Sequence, residues 1–349
     1  MPLLCGGTRN EGRCLVTDRS EGPTVLTVLL NWRTADMTIR AALSAEAAMD
    51  GVPGAITVVD NDSGDGSFEA MRTALAAHPR IRVLQAGRNG GFGAGNNFGI
   101  RAGLPDGSRP DFVYILNSDA FPAADAIVQL RDYLQSHPRV GMVGSYIHGP
   151  EGDPHVTCFR FPSVASEFEI SARTGPISRL LAHRKVPIGV PDASGPVEWL
   201  AGASMMMREE VVQKVGLFDE NFFLYFEETD LCRRAAEAGW ATHFVRESRV
   251  EHIGSVSTGM KSWVRVPGYW FDSRWRYFRK AGGPGYAVLA TLAHLAGAAI
   301  SRTRRLLHRR PSNEPQRFLR DLIGHALRQV AGKGKPDVLW DGTPPVGRT

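Results

Sequence analysis

The stretch AITVVDNDSGDGSFEAMRTALAAHPRIRVLQAGRNGG, at residues 55–91, holds two short apolar runs with a helical pattern between them. Residues 55–60 and 81–84 contain β-branched side chains and are bounded by glycine, proline or polar residues, which predicts two β-strands. Residues 67–77 have the composition and spacing of a helix. A strand, a helix and a second strand in this order are typical of a parallel sheet with helices on both faces.

The same alternation continues on both sides of this stretch. It predicts strands at residues 24–30, 112–117, 197–207 and 241–245, and helices at residues 37–49, 93–103 and 227–239. The predicted fold class is therefore α/β, with a mostly parallel central sheet flanked by helices.

Two later segments predict a C-terminal helical extension. Residues 320–330 are amphipathic, and residues 285–301 are apolar and rich in alanine. The apolar segment is interrupted by His294 and is shorter than the roughly 20 residues that cross a bilayer.

Composition divides the chain into four parts. We expect a loose leader at residues 1–22, a main domain at residues 23–258, a helical and membrane-associating segment at residues 259–335, and a flexible tail at residues 336–349. Residues 146–197 are rich in Pro, Gly, His and Arg with weak periodicity, which predicts an insertion within the main domain.

The net charge of the 349 residues is +5, from 41 Lys and Arg against 36 Asp and Glu. Apolar residues make up 43% and charged residues 22%, which excludes disordered, collagenous and disulfide-scaffold classes. The excess of positive charge is local, and it equals one cluster of arginines: Arg302, Arg304, Arg305, Arg309 and Arg310. This distribution disfavours a nucleic-acid-binding surface and predicts contact with an anionic surface such as a membrane.

The four cysteines, Cys5, Cys14, Cys158 and Cys232, form no C-x-x-C pair. Because the first 22 residues also contain no apolar run of signal-peptide length, we expect a reduced cytoplasmic protein. With the arginine cluster, this predicts a peripheral position on the inner face of the plasma membrane.

Polar residues follow the predicted strands where open α/β sheets bind ligands. Asn31 follows the first strand, Asp60 and Asn61 follow the second, and Asn117 and Asp119 follow the fourth. The last two suit Mg²⁺ or Mn²⁺, and Asp60 suits a base or a ribose.

A glycine-rich run, RNGGFGAGNN, follows the third strand and begins a helix, where backbone N–H groups favour phosphate. Together with the polar strand ends, it predicts a nucleoside-diphosphate site. The run does not match G-x-G-x-x-G, and the sequence contains no Walker motif, so nicotinamide and kinase functions are disfavoured.

Six motifs then occur in a fixed order: VDNDSGDGS, RNGGFGAGNNFG, YILNSDAFP, WLAGASMMM, GLFDENFFLYFEETDLCRRAAEAGW and VEHIGSVST. Over residues 26–258 the chain resembles the family 2 glycosyltransferases, in particular their rhamnosyltransferase-like bacterial branch. The resemblance implies a GT-A fold, a nucleotide-sugar donor, a divalent metal (Mg²⁺ or Mn²⁺) and an inverting mechanism.

The resemblance also implies roles for residues on the donor side. Asp60 matches the acid that holds the base, and Asp119 matches the last, metal-binding acid of the D-x-D motif. Asn117 stands where stricter members have the first acid, so it binds metal or contacts the ribose. His252 matches a late histidine that completes metal or diphosphate coordination. The other expected donor-binding residues are Asn31, Asn61, Asn89, Gly91, Asn96 and Trp199.

Glu228 matches the general base of the family's "ED" pair, and Glu227 competes with it for this role. Trp199 either stacks on a sugar or is a core aromatic residue. His148, His155 and Cys158 are metal ligands by type, but their irregular spacing favours ordinary loop residues.

We therefore expect an inverting, metal-dependent glycosyltransferase that moves a sugar, rhamnose from dTDP-rhamnose, to a hydroxyl of a cell-wall, lipid-linked or exopolysaccharide glycan. The insertion at residues 146–197 is the expected acceptor region. One alternative is a nucleotidyltransferase, although residues 31–34 are not the basic glycine-rich loop it needs after the first strand. Another is a non-catalytic nucleotide-sugar-binding scaffold, which we would expect to lack the Glu228 carboxylate.

Overall fold

The computed structural model describes residues 22–254, 263–309 and 314–334. The predicted leader (apart from Gly22), the predicted tail, Cys5, Cys14, Arg310 and the end of the last motif at residues 255–258 lie outside the described residues.

The described chain alternates strands and helices. The strands are β1 Val25–Asn31, β2 Gly54–Asp60, β3 Ile81–Gln85, β4 Phe112–Asn117, β5 Ala120–Pro122, β6 Val140–His148, β7 Cys158–Phe159, β8 Pro187–Gly189, β9 Gly195–Val197, β10 Trp199–Leu200, β11 Ser204–Arg208 and β12 Ala241–His252. The α-helices are α1 Ala35–Ala48, α2 Ser67–Ala74, α3 Gly91–Arg101, α4 Ala126–Ser136, α5 Val164–Ala172, α6 Gly175–Leu180, α7 Glu209–Val215, α8 Glu227–Glu237, α9 Gly268–Leu307 and α10 Phe318–Val330. A short 3₁₀ helix spans Ala182–Arg184.

The central sheet has the order β3-β2-β1-β4-β11-β6-β12-β5, and β9 pairs with β12. Strands β1 to β4 pair in parallel, as predicted. Asn31 lies beside Asp60, and Leu30 lies beside Asn117, so the ends of three strands meet at one edge. Strand β11 lies between β4 and β6 and is antiparallel to both. Strand β12 is parallel to β6 and antiparallel to β5.

Alternate residues of β1 enter two separate cores. Val25 and Leu29 pack with residues of α1, α2 and α4, whereas Leu26 and Val28 pack with residues of α3, α7 and α8. Both faces of the sheet are therefore covered by helices, which confirms the predicted α/β architecture.

Three predicted elements differ from the structure in extent. The predicted strand at residues 197–207 is divided into the end of β9, β10 and β11, because residues 201–203 turn the chain between sheets. The predicted strand at residues 241–245 continues to His252, since β12 finds partners on both sides. The predicted helix at residues 285–301 belongs to the 40-residue α9, which is interrupted by non-helical dihedrals at Gly282 and Gly283.

The predicted insertion begins and ends in the part of the central sheet that contains β6 and β12. Its first residues, 146–148, belong to β6, and its last, β9, pairs with β12. Between them lie a three-stranded sheet of order β10-β7-β8 and helices α5 and α6. Helix α5 packs on α9, so the insertion joins the central domain to the C-terminal helices.

Candidate active site

A cavity of about 900 Å³ opens where β1 and β4 end. Nine of the predicted site residues line it: Asn61, Asn89, Gly91, Asn117, Asp119, Trp199, Glu227, Glu228 and His252. The other three, Asn31, Asp60 and Asn96, are buried and do not line this cavity.

Asn31 and Asp60 form a buried network behind the cavity wall. Asn31 Nδ2 donates to Asp60 Oδ1 at 2.8 Å, and the Ser63 hydroxyl donates to the same oxygen at 2.6 Å. Asp60 Oδ2 accepts the backbone N–H of Ser63 at 3.0 Å. The Asn31 side-chain oxygen accepts from Thr38 at 2.8 Å. In this structure the two residues therefore fix the loop after β2, and that loop carries Asn61 to the cavity.

Asn61, Asn89 and Gly91 form one rim of the cavity. Asn61 Nδ2 donates to Asn89 Oδ1 at 3.0 Å and to the Gly91 carbonyl at 3.3 Å. Asn89 Oδ1 also accepts the backbone N–H of Gly91. The Asn61 side-chain oxygen has no hydrogen-bond partner although it is buried. Because a buried acceptor without a partner is costly, this oxygen marks a place for a ligand donor.

Gly91 is required by its backbone conformation. Its φ is +87°, and a Cβ would lie 2.0 Å from the Phe223 carbonyl oxygen. The same oxygen accepts the backbone N–H of Phe92 at 2.9 Å. The start of α3 is therefore held directly against the loop that precedes α8.

Asp119 and His252 meet on the opposite side of the cavity. His252 Nε2 lies 3.1 Å from Asp119 Oδ1 and 3.4 Å from Asn117 Nδ2, and Asp119 Oδ2 accepts the backbone N–H of Gly254. Burial tends to raise the pKa of Asp119, but hydrogen bonding and charge from His252 outweigh it, so this pKa lies below its ordinary value. Asp119 is thus held as a carboxylate.

This group fits a divalent cation that is completed by substrate. Among the described residues, no cluster of three or more His, Cys, Asp or Glu side chains is placed to hold a metal. However, Mg²⁺ usually takes only one or two carboxylates and completes its shell with water and substrate phosphates. Asp119 would supply the carboxylate of such a site and His252 an imidazole nitrogen.

Glu227 and Glu228 begin α8 after a strained turn. Tyr225 and Phe226 both have φ of +69°, a left-handed conformation that is uncommon for aromatic residues. This turn directs both carboxylates into the cavity, where Oε2 of each is buried without a hydrogen-bond partner. Asp230 on the same helix pairs with Arg234, whose Nε lies 2.8 Å from Asp230 Oδ2.

Burial changes the acidity of this pair. It raises the pKa of Glu228 to about 7, against weaker opposing hydrogen bonds from backbone N–H groups, including that of Gly202. Burial, followed by the neighbouring charge of Glu228, raises the pKa of Glu227 well above its ordinary value. A carboxyl group with a pKa near neutrality can accept a proton at physiological pH and release it afterwards.

The predicted insertion supplies a third side of the cavity. Trp199 stacks on Phe159 with ring centroids 4.2 Å apart, and its Nε1 donates to the Arg160 carbonyl. Trp199 therefore packs as a core aromatic residue while one edge reaches the cavity. His155 also lines the cavity, with its ring 6.1 Å from that of His252.

Sequence reasoning did not assign several of these residues. His155 was expected to be a loop residue, and no periodicity marks its approach to His252. The other lining residues that were not assigned include Trp32, Phe92, Val156, Phe159 and Tyr269. Trp32 directly follows the first strand, so its position at the strand end was a usable signal.

The comparisons with known proteins agree with this geometry. A family model described as "Glycosyltransferase like family 2" matches residues 23–268, which is well over half of the chain. The chain belongs to glycosyltransferase family 2. It is therefore a glycosyltransferase, and its cavity is the candidate active site of a family 2 enzyme.

Individual relatives agree with the family. The chain is similar to the N-acetylglucosaminyl-diphospho-decaprenol L-rhamnosyltransferase of Mycobacterium tuberculosis, with 31% identity over 219 residues, covering 59% of this chain and 69% of that protein. It is also similar to rhamnosyltransferase WbbL of Escherichia coli, with 28% identity over 158 residues, covering 44% of this chain and 58% of the relative.

A solved structure supports the GT-A fold. The mannosyltransferase PcManGT from Pyrobaculum calidifontis, in complex with GDP-Man and Mn²⁺, aligns with a TM-score of 0.53 and 15% identity over 90% of each chain. At this identity the likeness concerns the fold alone, and it confirms the predicted fold of this family 2 glycosyltransferase.

Proposed function

We propose that this glycosyltransferase transfers a sugar with inversion from a nucleoside diphosphate to a hydroxyl group, with a divalent cation at Asp119 and His252. The observation that carries the proposal is that the Asp119–His252 pair lines the same cavity as the Glu228 carboxylate, whose Oε2 has no hydrogen-bond partner. One side suits a diphosphate and the other suits a hydroxyl that loses its proton.

The roles of the residues follow from their positions. Asn61 and the start of α3 lie where the donor's nucleotide and phosphates would bind, since helix-start N–H groups favour phosphate. When bound, Mg²⁺ or Mn²⁺ would neutralise the negative charge that develops on the departing diphosphate. Asp119 and His252 would hold it, with Asn117 adjacent.

Glu228 is the proposed general base. It would accept the proton of the acceptor hydroxyl as that oxygen attacks the anomeric carbon from the side opposite the diphosphate. A single displacement without an enzyme nucleophile inverts the configuration. Glu227 is the alternative base, because its carboxylate also lines the cavity without a partner on Oε2.

We further propose rhamnose from dTDP-rhamnose as the donor sugar and a lipid-linked glycan as the acceptor. Two similar proteins carry rhamnosyltransferase in their names, and one of these names a decaprenol-linked sugar diphosphate. The insertion side of the cavity, with Val156, Phe159 and Trp199, is the proposed acceptor side.

The domain divisions and the location belong to the same proposal. Residues 23–258 form the proposed catalytic domain, and the chain works in the cytoplasm. The described cysteines, Cys158 and Cys232, are both free, as a reducing compartment requires.

A donor screen tests the proposed function. Purified protein is incubated with Mn²⁺ and a panel of nucleotide sugars, and mass spectrometry follows release of the nucleoside diphosphate and sugar transfer. We expect turnover with dTDP-rhamnose that is lost with a metal chelator and in Asp119→Ala. The matched control is Asp125→Ala, which removes an exposed carboxylate outside the cavity.

Three other outcomes of this screen would contradict the assigned metal site or favour one of the two alternative functions. Equal turnover in Asp119→Ala would overturn the assigned metal site. Donor binding in calorimetry without turnover on any acceptor would favour the scaffold alternative. Pyrophosphate release from a nucleoside triphosphate and a sugar phosphate would favour the nucleotidyltransferase.

A further inference from the structure

The second half of α9 carries a continuous apolar stripe on its exposed side. Leu289, Leu292, Ile300, Leu306 and Leu307 are between 40% and 80% exposed. Small exposed side chains lie between them, at Ala296, Ala299 and Thr303. From Leu289 onward the exposed positions recur every three or four residues, which places them on one helix face. No charged residue interrupts it.

The opposite face of the same segment is fastened to α5 by close backbone packing. A Cβ added at Gly297 would lie 2.5 Å from the Phe168 carbonyl oxygen and 2.1 Å from Ser171 Oγ. Small side chains at Ala290, Ala298 and Ser301 are buried on this face. Among the described residues, this segment is therefore packed on α5 along one side and exposed along the other.

A buried charged cluster strengthens this docking. Glu167 of α5 accepts from Arg274 Nη2 at 2.9 Å, and His294 Nδ1 lies 2.8 Å from the same oxygen. Arg274 Nη1 donates to Thr291 at 3.2 Å, and the arginine is only 2% exposed. His294 and Thr291 belong to the apolar half of α9, so this half carries polar bonds to its neighbours.

By length and composition, α9 is the one described helix that could cross a membrane, with a mean hydropathy of 1.3 over its most apolar window. The docking argues against crossing. If this half of α9 entered the hydrocarbon, the Glu167–Arg274–His294 cluster and α5 would have to enter with it, which is costly. An exposed stripe on a docked helix instead suits a position in the plane of the interface.

The charges beside the stripe are positive. Arg302, Arg309, Arg320 and Arg328 are exposed. After residue 283, the described chain has two acids, Glu314 and Asp321, and each lies in an ion pair with an arginine. Helix α10 adds a second exposed apolar row at Ile323, Leu327 and Val330.

We propose that the stripe of α9 docks this enzyme on an anionic lipid bilayer, with the helix lying in the interface and not crossing it. The free leucines would enter the headgroup boundary, and the flanking arginines would contact lipid phosphates. The inference deepens the proposed function and rests on it in one respect, since a lipid-linked acceptor would be reached at this surface.

Vesicle cosedimentation tests the proposal. Vesicles of phosphatidylcholine alone are compared with vesicles that also contain phosphatidylglycerol, using the full chain. We expect binding only to the anionic vesicles, and release by high salt or alkaline carbonate, which do not extract a membrane-spanning helix. Triple replacement Leu289→Ser, Leu292→Ser and Ile300→Ser should weaken binding at least about tenfold, because three apolar side chains no longer leave water.

The control is Leu43→Ser, which changes an exposed apolar side chain on α1, outside both the stripe and the proposed acceptor region. Thermal unfolding of each variant establishes that it is folded, and calorimetric donor binding should be unchanged in all of them. Equal binding to both vesicle types, or full binding by the triple variant, would overturn the docking proposal. Resistance to carbonate would show a spanning helix. None of these outcomes depends on turnover, so a failure of the docking proposal can be distinguished from a failure of the proposed function.

Discussion

Glu227 and Glu228 are adjacent in the chain but lie in different surroundings. Glu227 is 2% exposed, and its pKa is raised by burial and by the charge of Glu228. Glu228 is partly exposed, and only burial raises its pKa, against backbone hydrogen bonds. A base must ionise near working pH and reach a hydroxyl, and Glu228 meets both needs better.

The first prediction concerns this pair. Glu228→Gln keeps the size of the side chain but cannot accept the proton, so we expect transfer to fall by about 100-fold or more. Donor affinity should be unchanged, because the donor is held elsewhere in the cavity. Steady-state transfer rates and calorimetric donor titration measure the two effects separately.

The pH dependence provides the control for this prediction. If a carboxylate with a pKa of about 7 is the base, kcat/KM of the native enzyme rises with pH and levels off above neutrality. At pH 6 the rate should be about tenfold below the plateau. The residual rate of Glu228→Gln should lack this rise. A larger loss in Glu227→Gln than in Glu228→Gln would exchange the two roles.

At the scale of elements, the site depends on how α3 and α8 begin. The loop before α8 contacts the start of α3 through the Phe223 carbonyl oxygen. This oxygen accepts a hydrogen bond from the backbone N–H of Phe92 and lies against Gly91. Asn97 on α3 adds hydrogen bonds to the backbone N–H and carbonyl of Phe218. A change at the start of α3 is therefore transmitted to the loop that leads into α8, where the two proposed catalytic carboxylates lie.

The second prediction is that Gly91→Ala impairs donor binding. The added Cβ clashes with the Phe223 carbonyl, and alanine adopts a positive φ less readily than glycine does. The start of α3 must therefore move. We expect donor affinity to fall at least about tenfold, as measured by calorimetry. The matched control is Gly107→Ala, whose φ is +81° but whose Cβ would meet nothing within 4 Å. Comparable donor affinity in the two variants would contradict this reading of Gly91.

Much of this half of the molecule could be predicted from the sequence. Strands β1, β2 and β4 are apolar runs that stop at Asn or Asp, so both their existence and their ligand-facing ends could be read. The sequence could not indicate which of these polar side chains lines the cavity and which is buried behind its wall. Asp60 and Asn61 are neighbours, yet only Asn61 lines the cavity, because Asn31 and Ser63 bind the Asp60 carboxylate from behind.

The later elements were less predictable for a different reason. Strand β12 takes its length from three partner strands, and His155 reaches the cavity only because the insertion folds back over it. Helix α9, in contrast, is interrupted at Gly282 and Gly283, just before Pro284, where local propensity predicts a break.

At the scale of the whole molecule, the carboxyl groups of Glu167 and Glu228 have pKa values that are shifted in opposite directions. Burial raises the pKa of Glu167, but the charges of Arg274 and His294 outweigh it and lower this pKa to about 2. Glu228, in the catalytic cavity, has its pKa raised to about 7. The first group fastens the C-terminal helices, and the second lines the candidate active site.

The third prediction is a stability profile with two limbs. A lowered pKa contributes stability above about pH 4.5 that is lost as pH falls toward 2, whereas a raised pKa contributes stability below about pH 4.5 that is lost as pH rises through 7. The free energy of unfolding should therefore be greatest near pH 4.5 and decline by roughly 1–3 kcal/mol between pH 4.5 and about 7. Urea unfolding between pH 3 and 9 measures it.

Two variants assign the limbs to their groups. Glu228→Gln should reduce the decline toward neutrality and raise stability at pH 8, because one of the two buried carboxylates no longer ionises, while Glu227 keeps its own contribution. Glu167→Gln should lower stability at neutral pH by about 3 kcal/mol, because Arg274 stays buried without its carboxylate, and it should flatten the acid limb. Limited proteolysis of Glu167→Gln should cut α9 before the central domain. If instead both variants kept the native profile, neither buried carboxylate would control the stability of the fold, and α9 would be held to α5 by apolar packing alone.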